Sequence, residues 1–430
     1  MRHPTLAAWL QWQEGLHPRA IDPGLERVGA VADRLGLRPA DRPLITVAGT
    51  NGKGSSVALL GAILTAAGYR TGAYTSPHLL RYNERIRIGG EEATDEAIMA
   101  AFDAIDRARD DITLSYFEFG TLAALWLFRE QQVDVGLLEV GLGGRLDAVN
   151  IMDADVALLT SIGLDHAEWL GHDRNAIGRE KAGIMRRDRP AVFSGEAMPE
   201  VIREMAAAQG TTLRVAGEDY DWQVGPGGEW DWRGSAVTLS GLPAPALPGP
   251  MQYRNAAGVL ATLEQLREQL PVASEAVAEG LREARLPGRL QVLPGPVEWL
   301  LDVAHNADAV GVLAAELDRR PVAGRCHAVF GIMARKELEP VLEALGHRVD
   351  AWWPLSLPDP DARPAPQVVR ELERRGETVA GSGDAAALVA SLSGQAEPGD
   401  RVIVFGSFRT VEEVMHAVGN AAPAGTGRTA

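Results

Sequence analysis

Lys53 is the first residue whose setting implies chemistry. It follows Gly49-Thr50-Asn51-Gly52 and precedes Gly54-Ser55-Ser56, so one cation sits among three glycines and several hydroxyls. Glycines let backbone N–H groups point into a concave loop, and a helix that starts there adds partial positive charge. Together these suit a phosphate. Lys53 would reach the outer phosphates, and Ser55 or Ser56 would face Mg²⁺ or a phosphate oxygen. The run departs from the common phosphate loop, because Gly54 separates Lys53 from the hydroxyl and the first glycine stands nearer the Gly-Lys pair. A glycine-rich turn with an exposed lysine is the alternative.

Other candidates fall where predicted strands end. Glu139 closes an apolar run from Val133 to Val140 and leads into Gly141-Leu142-Gly143-Gly144-Arg145-Leu146-Asp147. An isolated buried charge is costly, so a carboxylate there points to a Mg²⁺ ligand or a general base. Asp165 and His166 follow the predicted strand Asp155 to Ser161 and could contact metal or phosphate. Ser76 and His78 lie in Thr75-Ser76-Pro77-His78-Leu79, just after the predicted strand Thr71 to Tyr74. Glu118 stands among aromatics in Ser115-Tyr116-Phe117-Glu118-Phe119, and a carboxylate is rarely buried without a partner. Lys181, in Arg179-Glu180-Lys181, reads from its neighbours as part of a solvated helix face.

These residues need a frame, and the pattern supplies one. Ile45 to Ala48 reads as a buried strand. Val57, Leu60, Gly61 and Leu64 recur at helical spacing, which lays one stripe on a sheet. Further strands are expected at Arg81 to Ile88 and Pro190 to Ser194. Helices are expected at Thr5 to Glu14, Gly24 to Leu37, Asp95 to Ala108 with Thr94 as its cap, Asn175 to Met185, Glu200 to Gln209 and Tyr253 to Gln269. Thr212 to Leu239, with Trp222, Trp230 and Trp232, reads as antiparallel β. At Leu286-Pro287-Gly288-Arg289 the pattern breaks, and the βα alternation restarts with strands near 297–303, 326–332, 351–355 and 401–407. The expected architecture is α/β: a larger parallel-sheet domain over 1–286, a smaller α/β domain over 287–420, and a disordered tail over 421–430.

Bulk properties narrow the function. The chain has 430 residues, 46% hydrophobic and 23% charged, which is the composition of a soluble globular protein. A net charge of −16 argues against a general nucleic-acid binder, yet leaves room for an anionic substrate in one basic cleft. Cys326 is the single cysteine, so no intramolecular disulfide can form, and a reducing compartment is expected. The N-terminus has no apolar core of a signal peptide and no run is long enough to span a membrane, so a cytoplasmic location is expected.

Seven segments occur in a telling order: Gly49 to Ser55, Thr75 to Leu79, Glu139 to Asp147, Leu164-Asp165-His166, Arg179 to Ile184, Pro287-Gly288-Arg289, and Leu301-Asp302-Val303-Ala304-His305-Asn306. Over roughly residues 15–410 the chain resembles the folylpolyglutamate synthase family of the Mur ligase superfamily, and within it the bacterial bifunctional members. The resemblance implies a phosphate-loop ATPase domain joined to a smaller Rossmann-like domain, with the active site between them. It implies that ATP phosphorylates a carboxylate and that the amine of L-glutamate displaces phosphate, a transfer that rests on positioning and charge neutralisation.

The resemblance also distributes roles. Gly52, Lys53, Gly54 and Ser55 would hold ATP phosphates. Ser76 and Glu139 would bind one Mg²⁺, and Glu139, His166 and a carbamylated Lys181 a second. Asn255, Arg289 and Asp302 would contact the nucleotide, and His305 would lie near the incoming glutamate. Ala20-Ile21-Asp22-Pro23 resembles the loop that binds dihydropteroate. Ser115-Tyr116-Phe117-Glu118 resembles a second pterin contact, with an aromatic to stack and a carboxylate to pair with the ring edge. One departure stands out: where the family often has an Asp-Lys-Asp run after a glycine, this chain has Arg335-Lys336-Glu337. The substrates implied are ATP, L-glutamate, dihydropteroate and reduced folates, with no nucleic acid or membrane partner and a monomeric chain.

Three other readings compete. A folylpolyglutamate synthase without the dihydropteroate step would make the Ala20 to Pro23 segment a connector. A cell-wall ligase of the same superfamily would need a nucleotide-sugar domain ahead of the phosphate loop. A regulatory module that uses ATP as a switch would release no ADP in response to substrate.

Overall fold

The computed structural model describes residues 1–421 and divides into two compact units, Met1–Leu286 and a second that begins at Pro287. In the first, an eight-stranded sheet runs in the spatial order Glu91–Glu92, Ile86–Ile88, Thr71–Tyr74, Val135–Glu139, Leu44–Ala48, Val156–Leu159, Pro190–Phe193 and Thr212–Val215. The last six are parallel to one another; Ile86–Ile88 runs antiparallel to Thr71–Tyr74, and Glu91–Glu92 antiparallel to Ile86–Ile88. Leu44–Ala48 lies between Val135–Glu139 and Val156–Leu159, with Val47 paired to Glu139 on one side and Leu158 on the other. The chain therefore leaves the centre of the sheet in both directions. In an open parallel sheet, a ligand crevice lies at the carboxyl ends of such strands.

Alternation along this central strand divides the core. Ile45 and Val47 face one apolar cluster with Val57, Leu60 and Leu64 of helix Lys53–Ala66, and Leu44 and Ala48 face the other with Phe128 and Val149. Each buried leucine-sized side chain contributes about 2 kcal/mol. Helix Lys53–Ala66 is in turn covered by helix Ser274–Glu283, and a Cβ on Gly280 would lie 2.4 Å from the Ile63 Cα. Helix Met251–Gln265 packs on the same side and supports a separate antiparallel sheet, Asp221–Val224, Trp230–Arg233 and Thr238–Leu242, through the buried Trp230 and Trp232.

Two sequence expectations need correcting. Arg81 to Ile88 is not one strand: Tyr82–Arg85 forms a 3₁₀ turn and only Ile86–Ile88 is extended. The cause is Glu84, whose carboxylate accepts from the amides of Leu79, Leu80 and Arg81, each at 2.7 Å, and so winds the chain. Thr212 to Leu239 is not uniformly antiparallel either, because Thr212–Val215 joins the large sheet in parallel.

The second unit holds a five-stranded sheet in the order Gln291–Leu293, Glu298–Leu301, Arg401–Phe405, Cys326–Phe330 and Ala351–Pro354. Only Gln291–Leu293 runs antiparallel to its neighbour. Leu300, Phe330, Trp352, Ile403 and Phe405 form its core with Val310 and Leu313 of helix Ala307–Arg319. The helices Leu338–Leu345 and Phe408–Ala421 were not foreseen. Apart from Ala421, which closes the last helix, the expected tail over 421–430 lies outside the described residues.

Candidate active site

The phosphate-type loop leaves strand Leu44–Ala48 at Gly49 and enters helix Lys53–Ala66 through Gly52, whose φ of 91° suits glycine. The loop is gripped from the next strand. Thr160 Oγ1 donates to the Asn51 carbonyl at 2.7 Å, and the Asn51 amide donates to Ser161 Oγ at 2.9 Å. A Cβ on Gly49 would fall 1.8 Å from Thr160 Oγ1, and one on Gly52 2.8 Å from Asn255 Oδ1. Those two glycines are therefore needed for space. Asn255 is brought to the loop as expected, and Gln252 beside it donates to Ser55 Oγ at 3.4 Å and accepts from Asn255 Nδ2 at 2.9 Å.

Two lysines meet on one carbonyl. Lys53 Nζ donates to the Gly49 and Thr50 carbonyls at 3.0 and 3.2 Å, and Lys181 Nζ reaches the same Gly49 oxygen at 2.9 Å. Lys181 is not on a solvated face, as its neighbours in sequence suggested: it is buried, because Ile177, Gly178 and Ala182 turn the same side of helix Arg174–Ala182 inward. Burial, with the Lys53 charge adding to it, pulls its ammonium down to about 7. The glycine-rich turn explains how this helix comes so close. A Cβ on Gly144 would lie 2.8 Å from the Glu180 carbonyl and 2.9 Å from that of Lys181. The Arg145 amide donates to the Glu180 carbonyl at 2.8 Å, and Arg145 pairs with the Glu180 carboxylate at 2.9 Å.

Carboxylates face this cationic centre. Glu139 is buried, accepts from the Ser76 amide at 3.1 Å, and lies 3.7 Å from where a Cβ on Gly54 would be. Asp147 accepts from the amides of Leu142 and Val149 at 2.8 and 3.1 Å, yet burial pushes its carboxyl up to about 6. His166 adopts φ 52°, a strained setting for a residue with a Cβ, and its amide donates to Asp165 at 2.8 Å. One carboxylate and one hydroxyl-bearing residue beside a phosphate loop fit Mg²⁺, which keeps waters and phosphate oxygens in preference to an all-protein cage. Among the described residues no three His, Cys, Asp or Glu gather into a metal-holding group. An unmodified Lys181 ammonium cannot ligate a cation.

The second cluster is built from ion pairs. His17 Nε2 donates to Asp22 at 3.0 Å and its Nδ1 lies 2.8 Å from Thr113 Oγ1. Arg27 pairs with the Asp22 carboxylate at 2.7 Å, donates to the Asp22 carbonyl at 2.8 Å, and reaches Glu118 Oε1 at 3.1 Å. The His17 hydrogen bond, with the Arg27 charge and the hydrogen bond and charge of Arg19, holds the Asp22 carboxyl below its usual range against the opposing effect of burial. Ala20, Ile21 and Pro23 around it are exposed. Ser115 caps helix Tyr116–Glu130, and Glu118 completes the capping box by accepting from the Ser115 amide at 2.7 Å. Glu118 therefore has protein partners that explain its burial. Phe117 lies against Gly141, where a Cβ would be 2.7 Å from its ring, and Tyr116 packs edge-on to Tyr82.

In the second unit, Asp302 is buried and accepts from the amides of Leu290 and Ala304 at 2.8 and 2.7 Å. Burial raises its carboxyl, while the Arg289 charge opposes the shift. Arg289 lies over the Phe408 ring at 5.3 Å. His305 Nδ1 donates to the Val303 carbonyl at 2.9 Å, which fixes its tautomer, and Asn306 caps the helix that follows. The loop with Arg335, Lys336 and Glu337 is held by Arg363, which donates to the Ala334 and Lys336 carbonyls, each at 2.9 Å. Glu84, Thr160, Ser161 and Arg363 were all missed in the sequence.

Known proteins resemble this chain over nearly its whole length. The Mur ligase glutamate ligase domain matches residues 288–408. A dihydrofolate synthase/folylpolyglutamate synthase of Escherichia coli is 45% identical over 417 residues, covering 96% of this chain and 95% of its own. Escherichia coli FolC, solved in complex with DHPP and ADP, superposes with a TM-score of 0.91 at 43% identity, over 97% of this chain and 98% of its own. A bifunctional folylpolyglutamate synthase/dihydrofolate synthase solved with Mn, AMPPNP and L-glutamate gives a TM-score of 0.88 at 44% identity, over 96% and 98% of the two chains.

Proposed function

The chain belongs to the dihydrofolate synthase/folylpolyglutamate synthase family, and from that premise we propose that it joins L-glutamate to dihydropteroate and to reduced folates. It is an ATP-dependent ligase that forms an amide bond. A carboxylate is a poor acyl donor at neutral pH. One of its oxygens attacks the γ-phosphorus of ATP, ADP departs, and the acyl phosphate is left. The glutamate nitrogen then attacks the acyl carbon, loses a proton, and phosphate departs.

The observation that carries this reading is the meeting of Lys53 and Lys181 on the Gly49 carbonyl, opposite Glu139, at the end of the central strand. Lys53, with the amides of Gly52, Gly54 and Ser55, offers positive charge to the phosphates before and during transfer, so little reorganisation is needed at the moment of reaction. Asn255, Arg289 and Asp302 are assigned to the nucleotide and His305 to the glutamate. Ser76 and Glu139 are assigned to one Mg²⁺; Glu139, His166 and carbamylated Lys181 to a second. The metal neutralises phosphate charge when bound. Depression of the Lys181 ammonium supports the carbamate, because only the neutral amine adds CO₂. Ala20 to Pro23 and Ser115 to Glu118 are assigned to the pterin.

No helix among the described residues is long and apolar enough to cross a membrane. Cytoplasmic residence and a monomeric state complete the proposal. The test is ADP release with Mg-ATP and L-glutamate, with dihydropteroate or tetrahydrofolate as acceptor. Release with both is expected. Release with tetrahydrofolate alone would reduce the protein to a polyglutamylase, and release with neither from folded, ATP-binding protein would overturn the assignment.

A further inference from the structure

We propose that Arg27 is a positioning residue that sets the acceptor-binding loop, and that Asp22 and Glu118 act through it. This rests on the assignment of Ala20 to Pro23 to the pterin. The loop is short, and three of its four residues are exposed, so its own packing does little to fix its shape. What fixes it is Asp22: the exposed Arg19 reaches its carboxylate at 3.2 Å, and its shorter contacts lead to rigid elements. His17 ties it to Thr113, just ahead of helix Tyr116–Glu130. Arg27, near the start of helix Glu26–Arg34, ties both its carboxylate and its carbonyl to Glu118 on that same helix.

The geometry asks for a guanidinium. Three acceptors on two elements are served by two amino groups of one planar fork, at 2.7, 2.8 and 3.1 Å. An ammonium is a point charge without that fork and cannot reproduce the set. Arg27 Nε is buried and makes no hydrogen bond among the described residues. The head is thus oriented by the carboxylates it bridges, at some cost to its own satisfaction. Glu118 is half of the capping box, so its carboxylate cannot move without releasing the Ser115 amide. The bridge therefore transmits the position of a helix start to the exposed loop.

The consequence is a defect confined to the acceptor. In the full-length enzyme, Arg27→Gln should raise the KM for dihydropteroate or tetrahydrofolate by about tenfold or more, while kcat and the KM for ATP stay within about twofold. Arg27→Lys should recover part of the loss and guards against a glutamine variant that fails to fold. Added guanidinium at millimolar level should lower the acceptor KM of Arg27→Gln without changing its KM for ATP. An unchanged acceptor KM in both variants overturns the inference. So does an equal rise in the ATP KM, which would mark Arg27 as merely structural. Ile21→Asp, at the exposed tip, separates the two levels: if it too leaves the acceptor KM unchanged, the loop assignment itself falls. If it raises that KM while Arg27→Gln does not, only the role of Arg27 is lost.

Discussion

The phosphate loop and the outer loop around Asp22 both concentrate charge, but in opposite ways. At the first, two cations converge on the Gly49 carbonyl and one is forced down to about 7. At the second, Asp22, Arg27 and Glu118 alternate in sign and form a chain of ion pairs. Like charges held close in a buried place are unfavourable by themselves, so the fold must impose them, and they gain when an anion or a modification arrives. Alternating charges satisfy one another and serve chiefly to hold shape. On the proposed assignments, the molecule thus separates charge that does chemistry from charge that sets position.

The sharpest break of this contrast is Lys53→Ala. It removes the cation assigned to the transferring phosphate, and turnover should fall by about 100- to 1000-fold in steady-state ADP release; a near-normal rate would remove the loop from the chemistry. Lys181→Ala should also be nearly inactive, with activity partly restored by short carboxylic acids that stand in for a carbamate. Full activity without them would defeat the carbamate assignment.

The burial of Lys181 beside Lys53 should be visible without catalysis. The Lys181 ammonium is depressed in the fold, to about 7 from an ordinary 10.5. Between those values the unfolded chain holds the proton and the native chain does not, so stability rises with pH across that window. The slope is at most about 1.4 kcal/mol per pH unit, and Lys181→Met should flatten it in urea titrations in CO₂-depleted buffer. An identical slope in both proteins would show that the fold does not depress the Lys181 ammonium. The smallest effect belongs to the outer loop's support. Ser115→Ala removes a helix cap and should lower stability by about 1 kcal/mol, read from the shift in urea midpoint, with the KM for ATP unchanged.

The strands and glycine turns that carry the phosphate loop, Glu139 and Asp302 were legible because buried parallel strands read as apolar runs and glycines mark their ends. Glu118 was legible as an anomaly, but its partners were not. Arg27 lies 91 residues away in sequence, and only the fold brings them together. Lys181 shows the opposite failure. Its immediate neighbours Arg179 and Glu180 suggested solvent, whereas the close approach of Gly144 to its helix buries it. Glu84 was hidden because a carboxylate that organises backbone amides has no periodicity of its own.

The contact of Gly280 with the Ile63 backbone bears on how this unit breathes. At that point no side chain separates the two helices, and helix Lys53–Ala66 is enclosed by the sheet on one side and by helix Ser274–Glu283 on another. Its central amides can exchange hydrogen with solvent only when the whole unit opens, whereas the amides around Ala20 to Pro23 exchange through local excursions. The helix under the assigned phosphate site should therefore be among the slowest parts of this unit to lose protection, and the loop assigned to the acceptor among the fastest.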